Sequence, residues 1–283
     1  SVRRVAMVLS NLGNVRAGQG RMDEAHACYE ESLALCDGFG SVWSKAQVLV
    51  NLGRTSWLRG RTAEAVTCTE RALELFRQIG GRVGEAASLG NLGILYSENG
   101  RFEDARACFA AALVAHRETG SRTGEATVLG GLATLYRQLG DLAGAEAIWR
   151  QGVAIEQETG NRRGEGSDLG SIAHLEIELG RLADAEISLA AARTIHLETG
   201  DLRGQGIVLG LEGGLRWLQG RADEARNLQE AALEMARRVG NRDGEGVASS
   251  ALAQLAADEG RWDEARAGLE AALAIQRELG HRR

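Results

Sequence analysis

Histidine, cysteine and glycine-rich strings are the parts of this sequence whose residue types invite a catalytic or metal-binding reading. The five histidines, His26, His116, His174, His196 and His281, are scattered, and none belongs to a His-Glu-x-x-His pair. Cys28, Cys36, Cys68 and Cys108 contain no Cys-x-x-Cys spacing, which disfavours a zinc site. Gly164-Glu165-Gly166 and Gly204-Gln205-Gly206 lack the Gly-Lys-Ser/Thr that would cradle a phosphate. His196-Leu197-Glu198 matches part of a deaminase motif without its paired cysteines. These observations predict no catalytic residue, no bound metal and no cofactor. The remaining chemistry is recognition. Asn11, Asn51 and Asn91 recur at a constant interval, and an amide both donates to and accepts from an extended peptide backbone. Arg54 and Arg137 can grip a carboxylate with two parallel hydrogen bonds, and Trp57 and Trp217 offer large apolar area.

The elements that must carry these groups follow from a forty-residue period that runs without a slip to residue 280. Glycine closes the first half of every unit (Gly20, Gly60, Gly100, Gly140, Gly180, Gly220, Gly260) and the end of every unit (Gly40, Gly80, Gly120, Gly160, Gly200, Gly240, Gly280). A glycine just past a helix supplies the left-handed residue that ends it, so each unit holds two helices of about 16 to 18 residues. Leu89, Leu92, Gly93 and Tyr96 make the i, i+3, i+4, i+7 stripe of one face in the first helix. The second helix repeats alanine at position 25, from Ala25 to Ala265, followed by Phe109, Ala112 and Leu113 or their equivalents. Small residues at positions 13, 25 and 32 allow close approach of two helices.

The set Leu89, Leu92, Gly93, Tyr96, Ala105, Phe109, Ala112 resembles the tetratricopeptide signature, and the resemblance covers all seven units. The Gly-Asn-Arg-x-Gly-Glu links at 160–165 and 240–245, with Asn-Leu-Gly-Asn at 11–14, are similar to the forty-residue variety of the Pins/LGN spindle adaptors, and similar arrays occur in bacterial signalling proteins. The resemblance implies an all-α, right-handed superhelical solenoid of seven hairpins (1–40, 41–80, 81–120, 121–160, 161–200, 201–240, 241–280). It departs in lacking the proline that ends the second helix of the 34-residue form, so that helix should run on to its glycine. It also implies an inner face built from first-helix positions 7, 10, 11, 14, 17 and 18. Position 10 is small in six units (Ser10, Gly90, Gly130, Gly170, Gly210, Ser250), which would leave a groove open. Around it the resemblance places Asn11, Asn14, Asn51, Arg54, Trp57, Asn91, Glu98, Arg137, His174 and Trp217 as peptide-binding residues, with Glu178 beside them. Units 1 to 5, which carry the asparagine ladder, are where an extended peptide is expected to lie.

Composition agrees with helices punctuated by glycine: 38 glycines, no proline and 4% aromatics. The net charge of −6, from 39 acidic and 33 basic residues interspersed along the chain, argues against nucleic acid as a partner. Lys45 is the sole lysine. No stretch reaches the apolar length of a membrane helix and no signal-peptide pattern opens the chain, so a cytoplasmic protein is expected. The absence of an initiator methionine and the apolar stripe of the last helix (Leu269, Ala272, Leu273, Ile275, Leu279) point to a piece of a longer protein or to end-to-end self-association. The functional expectation is a scaffold that binds a protein or peptide. The alternatives are a sensor module of a larger signalling ATPase or transcription regulator, and a self-assembling array. The cysteines read as reduced. Finally, Arg193 and Glu212 replace aliphatic residues at positions 33 and 12 on facing helices, predicting that they meet, with Glu176 and Arg216 completing a four-charge cluster.

Overall fold

The computed structural model describes residues 2–39 and 41–279. Gly40, Gly280 and His281, named above, lie outside them. Among the described residues there are fourteen helices of 17 or 18 residues and no strand. In chain order they are α1 (Val2–Gly18), α2 (Met22–Phe39), α3 (Val42–Leu58), α4 (Thr62–Gln78), α5 (Arg82–Glu98), α6 (Phe102–Glu118), α7 (Arg122–Gln138), α8 (Leu142–Thr159), α9 (Arg162–Glu178), α10 (Leu182–Glu198), α11 (Leu202–Leu218), α12 (Ala222–Arg238), α13 (Arg242–Asp258) and α14 (Trp262–Glu278). The chain divides into two compact units, residues 1–141 and 142–283, and the division falls between the two helices of the fourth hairpin. No helix is long and apolar enough to cross a membrane.

Every predicted closing glycine among the described residues has positive φ, between 64° and 83°. At Gly100 the consequence is visible in hydrogen bonds. Its N–H donates to Ser97 O at 3.1 Å and the Arg101 N–H reaches back to Tyr96 O at 2.8 Å, so that orphan carbonyls of α5 are satisfied. Within each compact unit a helix packs against its chain neighbours and, more lightly, against the next odd-numbered helix. That nearest-neighbour pattern is the energetic signature of a repeat array. The alanines at position 25 are all buried, and Leu89, Leu92, Tyr96, Ala105, Phe109 and Ala112 form one core cluster. Cys28, Cys36 and Cys68 are buried, Cys108 is half-buried, and all four are free thiols.

Two devices join successive hairpins. The first is steric. A β-carbon on Gly84, Gly124, Gly164 or Gly204 would collide with Phe76, His116, Glu156 or His196 at the end of the preceding even helix, so glycine at position 4 lets that side chain lie over the next helix. The second is ionic. Arg77 and Arg82 donate to the two oxygens of buried Glu85 at 3.0 and 2.7 Å, and Arg82 also pairs with Glu118. Arg117 and Arg122 hold Glu125 in the same way, at 2.7 and 2.5 Å. Arg162 joins Glu165 to Glu198 at 2.6 and 2.7 Å, while Arg237 and Arg242 clamp Glu245. Burial opposes the charge of Glu85, Glu125 and Glu245, but the guanidinium hydrogen bonds outweigh it and hold each below the ordinary range. Between α10 and α11 the clamp is missing. Leu202 and Gln205 stand at its positions, and Gln205 donates to His196 O at 3.0 Å.

The expected encounter of Arg193 with Glu212 occurs, with Nε 3.7 Å from Oε1. Burial raises the Glu212 pKa, with Arg193 and then Arg216 opposing the rise. Glu176 does not complete the cluster. It accepts from Ser188 at 2.7 Å and pairs with Arg150 at 3.3 Å, while Arg216 pairs with Glu186. The reason is reach: Arg150 extends from α8 to Glu176 on α9 and Arg216 from α11 to Glu186 on α10, so Glu176 and Arg216 each pair with a nearer group than one another. Because the Arg193 guanidinium is half-exposed, its coupling to Glu212 should be only about 0.5–1 kcal/mol. A double-mutant cycle of Arg193→Leu and Glu212→Leu by chemical denaturation measures it, and strict additivity would mean the pair contributes nothing.

Candidate functional site

In the second compact unit α9, α11 and α13 lie side by side, with α10 and α12 behind them, and a cavity of about 470 Å³ opens on the face of the three odd helices. Two glycine pairs one helical turn apart, Gly166/Gly170 and Gly206/Gly210, line it. They are not equivalent. A β-carbon on Gly166 would stand 2.9 Å from Ile195, and one on Gly206 would stand 3.2 Å from Met235. One on Gly170 would meet nothing within 4 Å, and on Gly210 the nearest atoms are 3.9 Å away. Mid-helix glycine costs about 1 kcal/mol relative to alanine. At Gly170 and Gly210 close packing of the protein does not demand that cost, and what it leaves is open space.

The walls are apolar, with Ile207 and Val247 each at least half-exposed and Leu211 and Met235 deeper. Gln229 lies at the floor, where other repeats place Tyr29, Thr69, Phe109, Trp149, Leu189 or Leu269. It is buried, its Nε2 donates to Gly210 O at 2.8 Å, and its Oε1 has no hydrogen-bond partner among the described residues. His174 is on the rim, 3.5 Å from Glu178. The lining serines are committed to their own helix, Ser167 Oγ to Arg163 O and Ser171 Oγ to Ser167 O, each at 3.1 Å. The arrangement offers apolar walls, a buried acceptor and charged ends at Arg203 and Asp243, which suits holding a segment rather than activating a nucleophile.

Of the ten residues expected to bind peptide, His174 lines this cavity, and Trp217 sits further along α11. The other eight, Asn11, Asn14, Asn51, Arg54, Trp57, Asn91, Glu98 and Arg137, lie on the odd helices of the first unit. There Asn14 Oδ1 accepts from Tyr29 Oη at 2.7 Å and from Asn51 Nδ2 at 3.3 Å. Burial pushes the Tyr29 phenol up, against the pull of Arg54 beside it. Asn14, Asn51 and Arg54 are thus gathered around one phenol. Trp57 donates its indole N–H to Glu98 at 2.5 Å, and Trp217 does the same to Asp258 at 2.9 Å. Both indoles remain 38% and 42% exposed, so each is tied at its polar edge and open on its face. Sequence reasoning missed Ile207, Val247 and Gln229. The signal was present: positions 7 and 10 were marked, and Gln229 is the single amide at position 29.

A family model described as tetratricopeptide repeat matches residues 4–78, 44–118, 84–158 and 205–278. Among curated protein sequences nothing matches. Three solved structures show the fold at low identity. The apo form of RapI is 14% identical with a TM-score of 0.76, covering 97% of this chain and 98% of that one. The Rap conjugation gene regulator of plasmid pLS20, in complex with the Phr* peptide, is 14% identical with a TM-score of 0.77, covering 94% and 72%. The apo quorum sensor NprR from B. thuringiensis is 14% identical with a TM-score of 0.74, covering 98% and 77%. The family match spans most of the chain, in register with the glycine-closed hairpins described above, and the chain belongs to the tetratricopeptide repeat family.

Proposed function

We propose that this protein is an interaction scaffold that seats an extended peptide segment of a partner protein on the faces of its odd-numbered helices, without catalysing a reaction. The observation that carries the reading is the pair Gly170 and Gly210, which keep an apolar cavity open at a cost their own packing does not demand. An extended segment would place an apolar side chain between Ile207 and Val247 and a donor over Gln229. The Asn14–Tyr29–Arg54 group and the open face of Trp57 offer a second, polar and acid-accepting stretch in the first unit. The pLS20 regulator, similar in fold, is complexed with a peptide, which supports the class of ligand.

The test is selection of binders from a random extended-peptide library against the full chain. Leucine at both positions 170 and 210 should weaken selected peptides at least tenfold while leaving thermal stability intact, since both sites have space for a side chain. Charge reversal of Arg54 and Arg137 should weaken acidic binders, each lost charged hydrogen bond being worth about 1.5–3 kcal/mol. Binders indifferent to all four substitutions would refute the groove assignment.

A further inference from the structure

In the first compact unit a polar cluster unrelated to peptide recognition gathers where α2 meets α3 and α4. His26 and Glu30 are one turn apart on α2, and Glu64 lies in the first turn of α4. His26 is buried, 3% exposed, and its Nε2 has no hydrogen-bond partner among the described residues. That nitrogen faces Glu30 Oε1 at 3.5 Å and Glu64 Oε1 at 3.4 Å. On the other side of the ring, Nδ1 is 3.1 Å from Thr55 Oγ1. The Thr55 hydroxyl proton is directed at the α3 carbonyls of Leu52 and Asn51, at 3.0 and 3.1 Å, so its oxygen is left to accept. Nδ1 is therefore the donor, and in the neutral ring Nε2 presents a lone pair. One nitrogen lone pair and two carboxylate oxygens then converge with no donor between them.

Two further observations say what belongs at that point. The sixth repeat places Arg226 where the first has His26, and its guanidinium lies 3.5 Å from Glu264 of the seventh, the counterpart of Glu64. In the sixth repeat a fixed positive charge fills this location, and in the first an imidazole stands in its place. The spacing also fits an ion. Metal–ligand bonds of about 2.0–2.1 Å in a tetrahedron put ligand atoms about 3.3–3.4 Å apart, close to the two separations from Nε2. All three ligand atoms lie within 4.8 Å of one another. Arg61, 3.6 Å from Glu64, faces the other oxygen of that carboxylate and leaves Oε1 to the cluster. The negative field is felt next door: burial pushes the Cys68 thiol up, and Glu64 and Glu30 push it further against the opposing pull of Arg71.

We propose that His26, Glu30 and Glu64 bind one divalent transition-metal ion of the zinc type, with Thr55 fixing the histidine tautomer and solvent reaching the fourth position beside exposed Glu30. A ligating histidine usually donates its other ring N–H to an outer acceptor that fixes its tautomer, and the Thr55 oxygen takes that place here. The donor set excludes neither cobalt nor nickel, since imidazole with carboxylates suits several ions of this series.

The test is titration of chelator-treated full-length chain with zinc chloride by calorimetry, repeated with cobalt(II) to read the visible absorption of a tetrahedral ion. One ion per chain is expected. His26→Gln and Glu64→Gln should each weaken binding more than tenfold, and Thr55→Val should weaken it about tenfold without removing a ligand. Glu64 and Glu30 are accessible enough that Glu64→Gln and Glu30→Gln remain decisive where His26→Gln does not fold. No saturable uptake, uptake unchanged by Glu64→Gln, or uptake abolished by Cys108→Ser would each overturn the assignment.

Discussion

Alanine at position 93 should destabilise the chain by about 2 kcal/mol, while alanine at position 170 should stabilise it by up to about 1 kcal/mol. Both substitutions remove a glycine from the middle of an odd-numbered helix, and both gain the same helix propensity. They differ in what the new methyl group meets. At Gly93 it would stand 2.6 Å from two carbons of the Phe109 ring, which is 1% exposed and has no free direction in which to move. Overpacking of a close-packed core costs more than propensity returns. At Gly170 there is no atom within 4 Å, so only the backbone term remains. Urea unfolding of the two variants beside the parent measures both shifts. Shifts of the same sign would mean that packing does not distinguish the glycines, and the cavity would lose its rationale.

Stability should also fall as pH rises from about 5 to 8, and Glu156→Gln should abolish about half of that fall. Glu156 is buried at the end of α8, in the place taken by Phe76 and His116 in other repeats, and its Oε2 has no partner among the described residues. Burial, with Asp168 and then Glu165 adding to it, raises its pKa to about 8. Asp168 stands where Val48, Val128 and Val208 stand elsewhere, and burial raises it to about 7. Both acids are neutral in the folded chain at a pH where the unfolded chain has released their protons. The folded state therefore binds more protons, and stability declines with pH between the unfolded values and these raised ones. For Glu156 alone the loss is on the order of several kcal/mol by pH 8. Glutamine keeps the shape without the ionisation. The opposite sign applies to the clamped Glu85, Glu125 and Glu245, whose lowered values withdraw stability as pH falls through the acid range. A stability maximum near the unfolded carboxylate values, about pH 4–5, follows. A parent chain equally stable at about pH 5 and pH 8 would show that the two acids are hydrated in solution.

The hairpins were legible in the sequence because their punctuation is local: a glycine that must take positive φ, an alanine that must sit between two helices, a stripe at helical spacing. The opening of the cavity was legible in part, since the smallness of position 10 can be read directly, but the distinction between Gly90, whose β-carbon would stand 3.3 Å from Val128, and Gly170 depends on what the neighbouring helix presents. Arg193 and Glu212 could be paired because each breaks a position whose partner is set by the repeat. Glu176 could not be placed, because a long arginine elsewhere competes for it. Glu156, Asp168 and Gln229 were equally visible as departures, yet their consequence is burial without a partner, and that requires coordinates. His26 illustrates the same limit. Its neighbours Glu30 and Thr55 are ordinary helix residues until α2, α3 and α4 are packed.

The missing clamp between α10 and α11 makes this junction different in kind from the four that carry it. Where Arg82, Arg122, Arg162 and Arg242 bridge neighbouring helices, charge pairs that dissolved ions screen close on a carboxylate in the first turn of the next hairpin, whereas at α10/α11 the charge pairs, Arg193 with Glu212 and Arg216 with Glu186, lie further along α11 and its first turn is held by the neutral Gln205. In dilute buffer the first turn of α11 is where amide protons should exchange ahead of the clamped first turns of α5, α7, α9 and α13. In concentrated salt the ion pairs of every boundary weaken, the first turn of α11 held by Gln205 changes least, and the ranking of the first turns converges. Ionic strength thus selects where the array opens, a property no single hairpin possesses.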